Sequence, residues 1–244
     1  RRMPRNVVSE ITVLQRRETT PKQGIMFVQS VNDLITAQPS LVVECAGHAA
    51  AQDYLIPLLQ AGLPVMPASL GVFSDDSFLQ DARAAAQQSQ SELIIPSGAI
   101  GGLDILRAVA SSGDARVTYR GTKPPAAWKG SPAEEVVDLD TLTERKVFFT
   151  GSARDAAAAY PKNANVVAAL ALAGPGFDKV SVELIAGPAA TSNEHSYEVM
   201  SSVCRYQMAI QNAASAGNAR TSETTILSLL CEVQAFAQRI GHST

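Results

Sequence analysis

Between residues 11 and 110, short apolar runs alternate with segments of helical spacing, and this alternation restricts the fold more than any other feature of the chain. Ile11-Thr12-Val13-Leu14 is a β-branched run followed by the polar Gln15-Arg16-Arg17-Glu18, a strand with a polar exit. Residues 41–45 form a second strand closed by Ala46-Gly47-His48, and residues 49–61 carry helical spacing up to Gly62. Residues 64–68 read as a third strand kept short by its prolines, 76–88 as an Ala-rich helix, 93–96 as a fourth strand, and 103–110 as a helix beginning after Gly101-Gly102. Strand, helix and strand at this spacing build a parallel sheet with crossover helices. Such strands are covered on both faces, which explains continuous apolar runs without clean alternation. The first half is therefore expected to be a doubly wound α/β layer.

After residue 112 the character changes. Residues 116–120 read as a strand and 123–132 as a loop holding the one Trp, Trp128. Residues 153–160 and 163–173 read as helices separated by Pro161, and 180–185, 197–203 and 206–210 as strands, the last two close enough to pair as a hairpin. Residues 221–240 form a long amphipathic helix through Ile226, Leu229, Leu230, Val233 and Phe236. The second half is thus α+β.

Composition narrows the function classes. With 46% apolar and 18% charged residues over 244 positions, a sizeable core forms and global disorder is excluded. Twenty basic against 23 acidic residues give a formal charge of −3, which argues against a nucleic-acid partner held by charge. Cys45, Cys204 and Cys231 are odd in number and far apart, so they build neither a disulfide framework nor a zinc ribbon, and reduced thiols in a cytoplasm are expected. The longest uncharged stretch, 54–74, is broken by three prolines (Pro57, Pro64, Pro67) and does not read as a membrane span. Arg1-Arg2-Met3-Pro4-Arg5 has no apolar region behind it, so no secretory signal is expected, and the missing initiator Met suggests a start partway along a longer protein.

Motif searching alone leaves the purpose open. Residues 1–46 contain a single glycine, Gly24, so the phosphate turn GxGxxG cannot be built there, and GxxxxGK[ST], HExxH and GxSxG are also missing. Three segments carry more. Pro96-Ser97-Gly98-Ala99-Ile100-Gly101-Gly102-Leu103-Asp104 ends a strand in a glycine-rich turn that opens a helix, at the sheet edge where ligands bind; an ordinary βα turn is the alternative. Tyr160-Pro161-Lys162-Asn163-Ala164-Asn165-Val166 offers two amides and an ammonium as an anchor for carboxylate or carboxamide, or else is a capped helix with a solvated Lys. Asn193-Glu194-His195-Ser196-Tyr197 places His195 at the start of a strand, where its ordinary pKa suits proton transfer near neutrality; a surface histidine is the alternative. His48 lies at a strand-to-helix turn on the same kind of edge, and His242 is a solvated terminal residue.

In combination these segments, with Val42–His48, the run 168–174 and Asn218-Ala219-Arg220-Thr221-Ser222, resemble the L-aspartate dehydrogenase family over nearly the whole chain. Ala219 replaces a proline of that family's last element. The resemblance implies a Rossmann-like nucleotide domain over 1–112, rejoined by 219–244, and a substrate and dimerisation domain over 113–218. It implies NAD(P)-dependent oxidation of L-aspartate to iminoaspartate, which yields oxaloacetate and ammonia or enters pyridine nucleotide biosynthesis. His195 would be the catalytic residue; Ala99, Asn165, Gly98, Gly47, His48 and Arg16 would meet NAD or NADP; Lys162 and Asn163 would hold substrate carboxylate. No metal, membrane or nucleic acid enters the reaction, and the family is usually a homodimer.

Two departures stand out. The family's first strand and GxGxxG turn are expected to precede residue 1. Arg16 and Arg17 follow the strand where an acidic ribose ligand marks NAD preference, so NADP is expected to be accepted at least as well. The rival expectations are an inactive module retained for dimerisation or ligand binding, and a related dehydrogenase or reductase for another amino acid.

Overall fold

The computed structural model describes residues 7–15, 22–161, 164–215 and 218–241. They fall into two compact units, Arg1–Pro96 with Leu229–Thr244, and Ser97–Ser228.

In the first unit, β1 (Ile11–Leu14) pairs in parallel with β2 (Ile25–Val28), and β3 (Val42–Glu44) in parallel with β4 (Val65–Pro67). α1 (Val31–Thr36) lies between β2 and β3, α2 (His48–Gln60) between β3 and β4, and α3 (Asp76–Gln88) follows β4. Parallel pairing with intervening helices is the α/β layer that the alternation implies. β2 and α1 were not legible: Ile25–Val28 follows a polar stretch, and α1 is six residues long. Ser30 caps α1 by accepting from the Asp33 N–H.

The strand expected at 93–96 is reduced to one parallel bridge between Leu93 and Val65. Val65 N–H donates to Glu92 O and Ile94 N–H to Val65 O, but Pro67 and Pro96 stand where the ladder would continue and have no N–H to give. Leu55 and Leu59 of α2 are fully buried, and Ala82 of α3 with them. Helix α7 (Glu223–Gly241) returns Phe236 to a cluster with Met66 and Ile94, joined by Leu41, Leu229 and Val233. Burying one such aromatic side chain stabilises by roughly 2–3 kcal/mol.

The second unit is built on a five-stranded sheet in the order β6-β7-β5-β8-β9, with β5 (Arg116–Lys123), β6 (Lys146–Ser152), β7 (Val180–Ala186), β8 (Asn193–Met200) and β9 (Arg205–Asn212). Only β5 and β7 are parallel. The expected β8–β9 hairpin forms, and its strands run longer than the apolar spacing suggested. Val117 and Tyr119 of β5, Val182 and Leu184 of β7, and Tyr197 and Val199 of β8 are buried on one face, and α5 (Ala153–Ala159) and α6 (Ala164–Ala173) pack against β7. Ser152 and Asp155 form a capping box that starts α5. α4 (Leu103–Ala110) packs on α6, where Leu106 lies against Gly174. The loop expected at 123–132 contains a 3₁₀ turn, Pro125–Trp128, with a second at Pro132–Glu135; Trp128 is buried and donates its indole N–H to Ile185 O over 3.0 Å. A short antiparallel pair, β10 (Ala214–Ser215) and β11 (Asn218–Ser222), precedes α7. Among the described residues, no helix is long and apolar enough to cross a membrane.

Candidate active site

His195 is the third residue of β8 rather than a residue at its start, and it is only 6% exposed. Its polar neighbours occupy the alternate face: Glu194, Ser196 and Glu198 point one way, His195 and Tyr197 the other. Opposite His195 in the ladder stands Gly121 of β5. A Cβ at Gly121 would meet Tyr119 Oη at 2.7 Å, so the glycine leaves the space into which the Tyr119 ring leans. Tyr119, diagonal to His195, brings its hydroxyl to 2.6 Å from His195 Nδ1, with the ring planes 21° apart.

Burial pulls the His195 pKa from 6.5 down to about 4, and the Lys123 charge adds to the effect. The imidazole is therefore neutral near pH 7. Burial pushes the Tyr119 phenol up, so it stays protonated and serves Nδ1 as donor or acceptor. Lys123, at the end of β5, lies with Nζ 5.0 Å from the Trp128 ring centroid, and burial lowers its pKa to about 8.

The glycine-rich bend is fixed onto the same unit by three side chains. Ser228 Oγ accepts from Gly98 N–H at 2.9 Å, Asn212 Nδ2 donates to Ala99 O at 3.0 Å, and the Tyr197 hydroxyl donates to Gly101 O at 2.8 Å. Asn212 pairs with Asn193 in the ladder, so the two strand anchors of the bend lie at the register of residues 193 and 197, on either side of His195. Gly98 and Gly102 have φ of +65° and +70°, the left-handed region that glycine enters freely. A Cβ on Gly98 would have nothing within 4 Å, whereas one on Gly102 would meet Tyr197 Oη at 2.6 Å. The bend thus has one open and one closely packed glycine, and a flat ring can approach its backbone at Gly98.

In the first unit, Gly47 (φ +109°) precedes α2 without a side-chain cap, and His48 is the helix's first residue. Their turn is tied by Glu44, whose buried carboxylate accepts from the N–H groups of Ala46, Gly47 and Ser69 and from the Ser69 hydroxyl. The open helix N-terminus is suited to an anionic or hydroxyl-bearing group. Asn165 is exposed in the first turn of α6. Arg16, Lys162 and Asn163 lie outside the described residues, as does His242.

Of the expected site residues, the structure therefore brings Gly98, Ala99 and His195 together. Tyr119, Lys123 and Asn212 escaped the sequence reading. A signal existed for two of them: Val117, Tyr119, Gly121 and Lys123 keep period-two spacing, which sets a lysine and a tyrosine facing inward. Asn212 had none, since its partners, Ala99 O and the Thr224 hydroxyl, lie 113 and 12 positions away.

Residues 104–236 match the family model "Aspartate dehydrogenase, C-terminal", and residues 7–96 match "Homoserine dehydrogenase, NAD binding domain". The L-aspartate dehydrogenase of Cupriavidus necator is 42% identical over 226 residues, which covers 92% of this chain and 84% of that protein. That of Ruegeria pomeroyi is 43% identical over 211 residues, 86% of this chain and 76% of the protein. The crystal structure of aspartate dehydrogenase from Thermotoga maritima superposes with a TM-score of 0.75 at 26% identity, covering 93% of this chain and 86% of that one. A sheet-mounted neutral histidine beside an anchored glycine bend is thus accompanied by likeness along nearly the full chain, and the chain belongs to the L-aspartate dehydrogenase family.

Proposed function

We propose that the chain oxidises L-aspartate to iminoaspartate with NAD or NADP, the imine then hydrolysing to oxaloacetate and ammonia or serving pyridine nucleotide synthesis. Relatives named L-aspartate dehydrogenase support the substrate, and the NAD-binding family match supports the cofactor. The observation that carries the reading is a buried, neutral His195 held at Nδ1 by Tyr119 between the two strand anchors of the bend.

When bound, the nicotinamide supplies the acceptor for the hydride leaving the substrate Cα. The residues of the chain do the rest. Only a neutral amine becomes an imine, so the substrate ammonium must first lose a proton. With Nδ1–H donated to Tyr119 Oη, His195 Nε2 carries the lone pair that accepts it. The same nitrogen then orients the water that attacks the imine. Gly98 and Ala99 offer backbone to the nicotinamide side of the cofactor, with Asn165 as a further contact; Gly47, His48 and Arg16 belong to its nucleotide side. Lys162 and Asn163 are assigned to substrate carboxylate. Residues 1–112 with 219–244 form the nucleotide domain in this reading, and 113–218 the substrate and dimerisation domain. The free Cys45, Cys204 and Cys231 support a cytoplasmic setting, and the family resemblance supports a homodimer. Arg16 makes NADP at least as acceptable as NAD.

The test is formation of reduced nicotinamide from L-aspartate, followed with NAD and with NADP over a concentration series. Turnover with both, and an apparent affinity for NADP no weaker than for NAD, is expected. Absence of turnover with either cofactor overturns the proposed reaction.

A further inference from the structure

Helix α7 begins where two tethers of the bend converge, and the proton transfer gives it no part. Ser222 caps its start by accepting from the Thr225 N–H, and the Glu223 N–H donates to Ala213 O, so the first turn is seated at the end of β9. Thr224 and Ser228 stand four residues apart and share one face of the helix. The Thr224 hydroxyl donates to Asn212 Oδ1, and Asn212, 1% exposed, donates in turn to Ala99 O. Ser228 Oγ accepts from the Gly98 N–H and lies 3.0 Å from the Ser97 hydroxyl. A carbonyl can only accept, so Ala99 O requires the Asn212 nitrogen, and Oδ1 is left for a donor that the Thr224 hydroxyl supplies. The peptide units on either side of the Gly98–Ala99 peptide are thereby pinned, one by Ser228 and the other by Asn212. Among the described residues, Gly98 O and the Ala99 N–H themselves have no hydrogen-bond partner.

We propose that Thr224 and Ser228 are positioning residues that hold the Gly98–Ala99 peptide in the conformation that receives the nicotinamide end of the cofactor, Ser228 directly and Thr224 through Asn212. This assignment rests on the cofactor of the reading above, not on its substrate. Gly98 has φ of +65° and open space where a Cβ would stand, so packing does not restrain it. A glycine in such a setting visits other conformations unless hydrogen bonds select one. The Gly98 bond is partly buried and the Ala99 bond fully, so loss of either partner leaves a polar group poorly hydrated and releases the bend. Where only a fraction of molecules holds the competent bend, apparent cofactor affinity falls by that fraction. Thr224 is exposed, so water replaces its hydroxyl in part and its effect is the smaller of the two.

The experiment titrates NADH and NADPH into the parent chain and into Ser228→Ala, Ser228→Thr, Thr224→Val and Thr224→Ser, read on the emission of the bound nucleotide. Thermal unfolding by circular dichroism and steady-state kinetics accompany it. We expect Ser228→Ala to weaken binding of the reduced nucleotides about tenfold and to raise KM for the oxidised cofactor by a similar factor, with kcat within about threefold of the parent because bound cofactor restores the bend. Thr224→Val, which keeps the shape of the side chain and loses its hydroxyl, weakens binding about threefold. Ser228→Thr and Thr224→Ser keep the hydroxyl and recover most of the affinity. A purely structural role would lower the thermal midpoint and leave nucleotide affinity where it is. Ser228→Ala and Thr224→Val variants that bind within about twofold of the parent therefore overturn the assignment, as does a loss that neither hydroxyl-bearing variant recovers. If Ser228→Ala does not fold, Thr224→Val set against Thr224→Ser decides by the same criterion. A parent that binds neither nucleotide sinks the proposed cofactor and this assignment together. A parent that binds nucleotide without turning over L-aspartate sinks the proposed reaction alone, and the assignment then stands or falls by the titrations.

Discussion

The Tyr119 hydroxyl lies 2.6 Å from His195 Nδ1, in a space kept open because residue 121 is glycine. In the proposed reaction, that contact would fix which imidazole nitrogen faces the substrate. Tyr119→Phe keeps the ring and removes the oxygen, leaving Nδ1 buried without its partner, at a cost of about 1–3 kcal/mol. The imidazole is then free to exchange tautomers, and we expect kcat to fall about tenfold while KM for the cofactor is unchanged. Measured kcat within twofold of the parent would show that Tyr119 does not set the working tautomer.

His195 itself carries a larger effect. Replacing it with Ala removes the proton acceptor and should depress turnover by about two orders of magnitude or more. Aspartate oxidation rates of the purified variant, normalised to folded protein by circular dichroism, provide the check; a rate equal to the parent's removes His195 from the mechanism.

The parts of the site that the sequence made legible are those whose chemistry is local. The bend announces itself by three glycines within five residues, and His195 by residue type. The depth of His195 did not, because a strand with one polar face surrounds an inward residue with hydrophilic neighbours, and Glu194 and Ser196 mimic a surface setting. The tethers are less legible still. Asn212–Ala99 and Ser228–Gly98 join residues 113 and 130 positions apart, and no spacing rule reaches that far. In the fold, long elements with consistent periodicity such as α3 were clear from the sequence, while β6 was missed because a charged Lys146 opens an edge strand in which Phe148 alone is buried and no alternation shows.

Acid should destabilise the protein through His195. The group has a folded pKa depressed from 6.5 to about 4 by burial first and the Lys123 charge second. Above about 6.5 it is neutral folded and unfolded, and its contribution is fully present. As pH falls from 6.5 toward 4, the unfolded chain takes up a proton that the folded one refuses, so stability is lost across that window, by up to roughly 3 kcal/mol. His195→Asn has no such proton to bind. Urea unfolding at pH 7 and pH 4.5 should therefore show a smaller loss for the variant than for the parent; equal losses would mean that the imidazole is not desolvated.

Gly102 and Gly98 share a positive φ but should respond differently to alanine. At Gly98 the added methyl meets open space, so the cost is the left-handed backbone alone, about 1–2 kcal/mol. At Gly102 the same backbone cost is joined by contacts of 2.6 Å to Tyr197 Oη and 2.7 Å to the Met208 methyl. Neither neighbour is free to yield without loss, because Tyr197 donates to Gly101 O and thereby holds the bend beside the His195 strand. Gly102→Ala should thus lower the thermal midpoint more than Gly98→Ala. It should also reduce kcat, because displacing Tyr197 releases the Gly101 carbonyl. Gly98→Ala, at the open face of the bend, should under the proposed reaction act mainly through KM for the cofactor. Thermal unfolding and initial rates on the two variants separate these effects. Identical losses of stability and an unchanged cofactor KM in Gly98→Ala would show that the bend neither depends on its packed glycine nor presents its open one to the cofactor.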